Sequence, residues 1–259
     1  MSDAGRRVGG LPLRTLAPNA ITASALCFGL TGVRFGIDEQ WERSIGCIIL
    51  AGVLDGMDGR IARLLRANSK FGAELDSLSD NIAFGTAPAL ILFLWSLQSA
   101  PSFGWTVALA LAVGCALRLA RFNAGIDSGA QPHKEAGYNT GVPAPVGAGL
   151  AFVPMYLWLI TGNDMFRSWA LVMPWTLFIA LLMISSVPTY TWSSIRIRRG
   201  WRLLALAGLA LLGAALLNEP WLTLLAISVV YLATLPFALV TYARIKRRRE
   251  GAERLALAE

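Results

Sequence analysis

Long apolar runs are the feature that most constrains the fold of this chain. Eight of them approach the length that crosses a hydrocarbon core about 30 Å thick, and they lie near 17–36, 43–57, 79–98, 103–120, 143–161, 168–188, 202–217 and 220–243. The chain is 55% hydrophobic and 15% charged, well above the apolar share of a soluble domain. We therefore predict an all-α integral membrane protein, a polytopic bundle of about eight transmembrane helices.

The distribution of basic residues predicts the orientation of this bundle. With the N-terminus placed in the cytoplasm, every Lys and Arg falls on the inner side except Arg34, Arg43 and Arg167. Cytoplasmic loops carry such an excess of positive charge. An even number of helices with both termini inside follows. We expect one domain, residues 1–259, in the cell (inner) membrane, with 1–16 as a short cytoplasmic arm and 244–259 as a basic cytoplasmic tail.

Composition also argues against several functional classes. The net charge is +7, but the basic residues are scattered between apolar runs, so anionic lipid is a more natural partner than nucleic acid. Cys27, Cys47 and Cys115 lie inside apolar runs without CxxC spacing. Neither a disulfide framework nor a zinc site is indicated, and we expect the cysteines to pack in the core.

An acidic stretch interrupts the apolar pattern between the second and third runs. "GVLDGMDGRIARLLRANSKFGAELDSLSD" contains Asp55, Asp58, Asp76 and Asp80. Helical residues three or four positions apart share a face. Asp55 and Asp58 would therefore point one way, Asp76 and Asp80 would also share a direction, and the two pairs could converge. Acidic side chains near a bilayer are costly, which makes this stretch the prime candidate for a functional site.

Converging carboxylates would repel one another unless a cation lay between them. Mg²⁺ and Mn²⁺ prefer oxygen ligands, and paired ions of this kind can serve both the attacking and the leaving oxygen in phosphoryl transfer. Gly56, Gly59 and Gly72 would leave room for a bulky ligand, and Arg60 and Arg63 could meet phosphate oxygens. Phosphate chemistry is therefore the function that these residues favour.

Two other interpretations of the acidic stretch remain open from the residues alone. The first is a solvated cytoplasmic loop, in which the aspartates pair with Arg60, Arg63, Arg66 and Lys70. The second is a divalent-cation transporter with acidic residues along its pathway. The clustering of the acids at one membrane face disfavours the transporter.

The spacing Asp55-x2-Asp58-Gly59-x2-Ala62-Arg63-x8-Gly72-x3-Asp76-x3-Asp80 resembles the signature of the CDP-alcohol phosphotransferase family. That resemblance implies a membrane enzyme that joins an alcohol to the phosphate of a CDP-linked donor and releases CMP. It implies metal ligation by Asp55, Asp58, Asp76 and Asp80, with two Mg²⁺ or Mn²⁺ ions per active site. Asp80 would also be the general base, and Gly59, Arg63 and Gly72 would belong to the CDP pocket.

Three further segments are similar to bacterial phosphatidylserine synthases within that family. They are "DSLSDNIAFGTAPA" at 76–89, "ALRLARFNAG" at 116–125 and "YNTGVPAPVGAG" at 138–149. The resemblance implies CDP-diacylglycerol and L-serine as substrates, and a homodimer. The orientation predicted from the basic residues places the active site on the cytoplasmic side. Glycerol 3-phosphate or inositol phosphate is the alternative acceptor.

The same segments provide candidates for binding the acceptor or a phosphate. Arg118 and Arg121 are three residues apart at the inner end of the fourth apolar run, where one could bind a carboxylate or phosphate. Asn123 could add a hydrogen bond. The alternative is that both arginines only anchor the helix at the inner membrane face.

Overall fold

The computed structural model describes residues 13–67, 69–127, 138–185, 188–190 and 199–256. Its elements, in chain order, are α1 (Leu13–Ile37), α2 (Trp41–Leu64), α3 (Lys70–Asp80), a π-helical segment (Asn81–Thr86), α4 (Ala87–Trp95), α5 (Gly104–Asp127), β1 (Tyr138–Thr140), α6 (Ala144–Ala151), α7 (Val153–Thr161), α8 (Trp169–Ile184), β2 (Pro188–Tyr190), α9 (Arg202–Asn218) and α10 (Pro220–Ala256). Short 3₁₀ turns lie at Leu97–Ser99, Asp164–Arg167 and Arg199–Trp201.

The helical membrane architecture predicted from the sequence is confirmed. Five helical stretches are long and apolar enough to cross a membrane, namely Leu16–Ile37, Lys70–Trp95, Gly104–Gly125, Ala144–Thr161 and Pro220–Phe237. α8 and most of α9 form two shorter apolar helices. α2 is the remaining long helix, and it continues beyond its apolar run of 43–57 as far as Leu64. The chain is a multi-pass membrane protein of about eight helices.

The two terminal segments expected from the sequence are helical where the structure describes them. α1 already begins at Leu13, inside the expected arm, and residues 1–12 lie outside the described part of the chain. α10 carries the basic tail as helix as far as Ala256. The apolar and basic parts of the last segment therefore form one continuous helix.

Two of the expected spans are shorter or broken. The run 143–161 forms two helices, because Pro154 lies in the first turn of α7 and cannot supply the N–H that a continued α6 would need. The run 168–188 ends as a helix at Ile184. Beyond it, β2 pairs antiparallel with β1 in a two-stranded ribbon that the sequence did not predict.

Small residues allow close helix contacts around the π-helical segment. A Cβ atom added at Gly29 of α1 would lie 2.8 Å from the Cα of Ala83. A Cβ atom at Gly85 would lie 2.8 Å from the Cβ of Cys115 on α5. Both distances are too short for any side chain. The π-helical segment is therefore held between α1 and α5.

The buried core lies around this segment and extends into α4, α6, α7 and α8. Its largest fully buried side chains include Trp95, Tyr156, Phe84 and Phe152. Cys47 and Cys115 are buried as expected, but Cys27 is exposed on α1, so the core-packing interpretation is wrong for Cys27. The first two apolar runs also have exposed side chains, such as Leu30 and Leu50, so neither run is buried on every face.

The bundle has two ends that differ in chemistry. At the end called here the aspartate end, α2, α5 and α8 finish and α1, α3 and α9 begin. The far end contains the connections 38–40, 96–103 and 162–168. Because consecutive membrane helices alternate in direction, the two ends lie on opposite sides of the membrane.

Candidate active site

The turn between α2 and α3 places two helices bearing aspartates side by side. α2 ends at Leu64, and α3 follows Ser69, whose side-chain oxygen accepts a 3.0 Å hydrogen bond from the Gly72 amide. Such an N-cap satisfies one of the free N–H groups of the first helical turn. Arg66, at φ 50°, adopts the left-handed conformation that lets the chain turn back. The aspartates of the two helices can then face each other.

Three of the four aspartates form a compact cluster. Carboxylate oxygens of Asp55, Asp76 and Asp80 all lie within 4.8 Å of one another, and Asp55 and Asp80 are in hydrogen-bonding contact. Asp58 is close enough to interact electrostatically with Asp55 and Asp76. Its Oδ2, however, accepts a 2.6 Å hydrogen bond from the Thr22 hydroxyl of α1. The structure thus gathers three predicted ligands and holds the fourth beside them.

This aspartate cluster fits a divalent cation. Two ionised carboxylates make direct contact only with a proton or a cation between them, and partial burial strengthens their repulsion. Within the described part of the chain, no basic side chain forms an ion pair within 4.0 Å of these aspartates. The solvated loop, in which the aspartates would pair with nearby basic residues, is therefore not the arrangement found in the structure. Oxygen donors at this spacing are the ligands that hard cations such as Mg²⁺ prefer.

A cleft of about 220 Å³ opens beside the aspartate cluster, between α1, α2 and α3. The cleft is lined by all three residues that the sequence assigned to the CDP pocket, Gly59, Arg63 and Gly72. Two of the aspartates, Asp58 and Asp76, line it as well. These residues come from two helices separated by a turn. The cleft and the cluster therefore have residues in common, so a ligand in the cleft would lie next to the carboxylates.

The two glycines of the lining contribute in different ways. A Cβ atom at Gly72 would lie 2.9 Å from Asn19 Oδ1 and 3.1 Å from Ser69 Oγ, so a side chain there would have to displace α1 or the N-cap. At Gly59 the nearest atom to such a Cβ is Arg63 Nη1, at 3.7 Å. Packing does not demand glycine at position 59. Its effect is to keep the cleft wide.

α1 contributes cleft residues that sequence reasoning did not identify. Pro18, Asn19 and Thr22 line the cleft, and Thr22 also holds Asp58. The Ser79 hydroxyl of α3 donates to the Thr22 carbonyl oxygen at 3.1 Å, which ties α1 to the aspartate helix. The sequence does contain a pattern that could have identified them. Asn19 and Thr22 are polar residues three positions apart, on one face of an apolar run.

The three acceptor candidates on α5 have separate surroundings. Arg118 lies close enough to Asp55 and Asp80 to interact electrostatically, and its Nε is buried without a hydrogen-bond partner among the described residues. Arg121 instead donates to the carbonyl oxygens of Ile184 and Ser185, at 2.7 and 3.0 Å. These bonds tie α5 to the end of α8. Of the two arginines, only Arg118 is shown near the aspartate cluster.

Asn123 is also engaged in a contact between helices. Its Nδ2 donates to Ser77 Oγ at 2.9 Å, and the Ser77 hydroxyl donates to the Ala73 carbonyl oxygen at 3.1 Å. Ser77 directly follows Asp76 on α3. Asn123 therefore fixes α5 against the helix that carries two of the clustered aspartates.

The π-helical segment begins immediately after Asp80. π-helical turns of this kind often occur at functional sites, because the extra residue re-aims the side chains that follow. The first of these residues, Asn81, has a buried Oδ1 atom without a hydrogen-bond partner in the described part of the chain. The sequence did not predict this segment, since its apolar pattern is that of an ordinary helix.

The sequence matches two family models with related descriptions. The family model described as CDP-alcohol phosphatidyltransferase matches residues 15–182. A second model, described as CDP-alcohol phosphatidyltransferase 2, matches residues 200–236. The first match contains the aspartate cluster, the cleft and α5, so it covers all the site residues discussed above.

Several curated relatives share the name CDP-diacylglycerol–serine O-phosphatidyltransferase. The protein of that name from Mycobacterium tuberculosis is 37% identical over 234 residues, which cover 90% of this chain and 80% of the relative. The one from Mycobacterium leprae is 36% identical over 224 residues, or 86% and 74% of the two chains. The one from Helicobacter pylori is 35% identical over 142 residues, or 55% and 58%. The similarity therefore extends well beyond the aspartate stretch.

Proposed function

This chain belongs to the CDP-alcohol phosphatidyltransferase family, and from that premise we propose that it transfers the phosphatidyl group of CDP-diacylglycerol to the hydroxyl of L-serine. The products are phosphatidylserine and CMP. The observation that carries this proposal is the cluster of Asp55, Asp76 and Asp80 beside an open cleft. It occurs in a chain 37% identical, over 90% of its length, to a relative named for that reaction.

We assign the metal site to Asp55, Asp58, Asp76 and Asp80, with two Mg²⁺ or Mn²⁺ ions as the occupants. Bound there, the ions would offset the charge of the pyrophosphate and stabilise CMP as a leaving group. Thr22 supports the arrangement, because its hydrogen bond to one carboxylate oxygen of Asp58 restricts the rotation of that carboxylate. The Gly59 backbone N–H also donates to the Asp58 carboxylate, which fixes its orientation further.

Asp80 is the proposed general base. As the serine oxygen bonds to the phosphorus of the donor, a carboxylate oxygen of Asp80 takes the hydroxyl proton. The bond from that phosphorus to the bridging oxygen breaks, and CMP leaves with the electron pair. Two features of Asp80 support this role: its contact with Asp55 and its proximity to Arg118. No covalent intermediate with the protein is required.

The cleft between α1, α2 and α3 is the proposed CDP site. Gly59 and Gly72 leave space for the nucleotide close to the backbone, and Arg63 offers a guanidinium group to phosphate oxygens. Asn19 adds amide hydrogen-bonding groups from α1 in the same lining. The diacyl tails of the donor would then lie in the bilayer beside the bundle.

Arg118 is the proposed partner of the serine carboxylate. A partly buried guanidinium with an unpartnered Nε can give a strong, charge-assisted hydrogen bond to a carboxylate. Arg121 and Asn123 were also candidates, but their donors are already bound to α8 and α3. We therefore assign acceptor binding to Arg118 and a positioning role to Arg121 and Asn123.

The remaining proposals concern the setting of the enzyme. We place it as a single domain in the cell (inner) membrane with the aspartate end toward the cytoplasm, because most of its basic residues lie at that end. CDP-linked donors and free serine would then reach the site from the cytoplasm. The family resemblance also supports a homodimer, which the mass of the detergent-solubilised protein would test.

The test of the proposed function is CMP release by the purified protein. CDP-diacylglycerol is supplied with Mg²⁺ or Mn²⁺ and with L-serine, glycerol 3-phosphate or inositol phosphate as acceptor. We expect release to depend on serine and to be lost in Asp80→Asn. Glu42→Gln is the matched control, because Glu42 is an exposed acid at the opposite end of α2.

Other outcomes of this assay, and of a metal-flux assay in liposomes, would point to different functions or residue roles. CMP release with one of the phosphorylated acceptors, but not with serine, would keep the family and overturn the serine assignment. Metal flux into liposomes without CMP release from any acceptor would favour the transporter. Full activity in Asp80→Asn would exclude Asp80 as the base.

A further inference from the structure

A second polar cavity lies at the far end of the bundle. It has a volume of about 340 Å³, and its lining includes Trp95, Ser96, Asp164, Arg167 and Ser168. Trp95 and Asp80 lie at opposite ends of one helical stretch, roughly 20 Å apart at a rise of about 1.5 Å per residue. The far cavity is therefore separate from the proposed active site, and none of the residues discussed there lines it.

Arg167 supplies a fixed positive charge to the far cavity. Its Nε donates to the Trp95 carbonyl oxygen at 2.9 Å, and its guanidinium carbon lies 5.8 Å from the ring centroids of both Trp41 and Trp158. These contacts hold the guanidinium group in place. They leave its two terminal nitrogens without hydrogen bonds among the described residues. Five donor hydrogens in a fixed plane make arginine well suited to a phosphate group.

The N-terminus of α8 meets the same cavity. Ser168 is the N-cap residue of this helix, and its side chain makes no capping hydrogen bond. The first N–H groups of a helix have no partner within it, and the helix dipole adds positive potential there. An uncapped helix start beside an arginine provides the donors and the charge that an anion requires.

Trp95 gives independent evidence of an unmet hydrogen bond in this region. Only 2% of its surface is exposed, and its indole Nε1 has no hydrogen-bond partner in the described part of the chain. A buried indole N–H normally has a partner. Trp95 also lines the far cavity, but its Nε1 atom is not exposed to that space, so the donors open to an anion are those of Arg167 and the start of α8.

We propose that the far cavity binds the phosphate of a phospholipid headgroup from the membrane leaflet opposite the aspartate end. Arg167, the Ser168 hydroxyl and the start of α8 are the donors. Asp164, in the same lining, accepts a 3.0 Å hydrogen bond from Trp158 Nε1. Its negative charge repels a free phosphate dianion more strongly than a phosphodiester, which carries one charge. The position of the far cavity at a membrane face makes a lipid the natural source of that phosphodiester.

Native mass spectrometry of the purified full chain can measure this binding. The probes are dioleoyl-phosphatidylglycerol and dioleoylglycerol, which has the same acyl chains without the phosphate. EDTA in the buffer keeps metal-dependent lipid binding at the aspartate cluster from contributing. We expect the wild-type protein to retain the phospholipid and not the diglyceride.

Ser168→Asp is the decisive variant. Aspartate is a good N-cap and should maintain or raise the Tm, while its carboxylate occupies the anion position and repels a phosphate. We expect about tenfold weaker retention of phosphatidylglycerol in this variant and in Arg167→Gln, as for the loss of a charge-assisted hydrogen bond. Arg43→Gln, which removes an exposed arginine at the same end, should retain the lipid as the wild type does.

A competition experiment separates the two sources of phosphate. Competition by inorganic phosphate would overturn the assignment of the occupant as a lipid, and its failure to compete would support the lipid. Wild-type retention of phosphatidylglycerol by a stable Ser168→Asp protein would overturn the proposal. Equal retention of dioleoylglycerol and phosphatidylglycerol by the wild type would overturn it as well.

Discussion

The region formed by α1, α2 and α3 and the helix α9 both contain apolar stretches, but their side chains face opposite ways. In the first region polar side chains face inward, where Thr22 bonds to Asp58 and Asp80 contacts Asp55. α9 instead turns its leucines outward, and Leu203 and Leu217 are 80% and 87% exposed. α9 packs chiefly against α10 and the turn before it.

This contrast separates what chemistry requires from what the membrane requires. Inward-facing acids are costly in a membrane protein, so they persist where a bound ligand or cation compensates them. Outward-facing leucines are ordinary against lipid tails, which are as apolar as the side chains themselves. Substitutions in the first region should therefore change catalysis, whereas substitutions on α9 should change little.

The largest effect is expected from the aspartate cluster. Asp76→Asn removes one of three carboxylates that lie within 4.8 Å of one another, and we expect CMP release to fall by about 10² to 10⁴-fold, as for loss of a catalytic group. In the wild-type protein Mg²⁺ should raise the Tm, because a cation relieves the repulsion among the carboxylates. The Tm gain should be smaller in Asp76→Asn. An unchanged rate in that variant would contradict the metal assignment.

The next effect should distinguish the two arginines of α5. Arg118→Gln should raise the KM for serine about 10- to 100-fold, the cost of one hydrogen bond between charged groups, and leave the KM for CDP-diacylglycerol nearly unchanged. Arg121→Gln should lower the Tm instead, because its two bonds to carbonyl oxygens at the end of α8 are lost. Steady-state kinetics and thermal unfolding of both variants check this. A serine KM raised only in Arg121→Gln would reverse the assignment.

A smaller effect is expected where α1 meets the aspartate cluster. Thr22→Val keeps the shape of the side chain but leaves Asp58 without its 2.6 Å hydrogen bond. Leaving a buried acceptor unpaired costs about 1–3 kcal/mol. We expect a lower Tm without metal and a weaker apparent affinity for Mg²⁺ in the CMP assay. Thr31→Val, at a partly buried position on the same helix, is the matched control and should change neither value.

The smallest effect is expected on α9. Leu209 is 66% exposed, and Leu209→Ala should leave the rate of CMP release within about twofold of the wild-type rate. Leu111 of α5 is fully buried, and the same truncation there should cost about 2–5 kcal/mol. Thermal unfolding of the two variants in one detergent compares them directly. A larger loss of stability at Leu209 would mean that α9 is covered by a protein partner, for example a second copy of the chain.

Much of this structure could be predicted from local pattern. The apolar runs predicted the helices, although α2 continues beyond its apolar part to Leu64. The spacing of the aspartates predicted that they would meet, since helical periodicity places residues three or four apart on one face. These features depend on neighbours in the sequence, so a single chain is enough to find them.

Other features depend on contacts between distant segments. Asn19 lines the cleft only because α1 packs against the α2–α3 turn. The π-helical segment has the apolar pattern of an ordinary helix, and its position against Gly29 of α1 and Cys115 of α5 became visible only in the fold. The β1–β2 ribbon likewise joins segments far apart in the chain, and three-residue strands are too short for a periodic signal.

By itself, the sequence determined that this chain forms a helical membrane bundle with an acidic cluster at one end, because hydrophobicity and helical periodicity are local properties. Only the tertiary structure decided which groups face the cluster. Arg118 and Arg121 are three residues apart and indistinguishable by type, yet one lies near Asp80 and the other is bound to the end of α8. The physical reason is that the direction of a long side chain is set by the partners that neighbouring helices present, and those partners come from elsewhere in the chain.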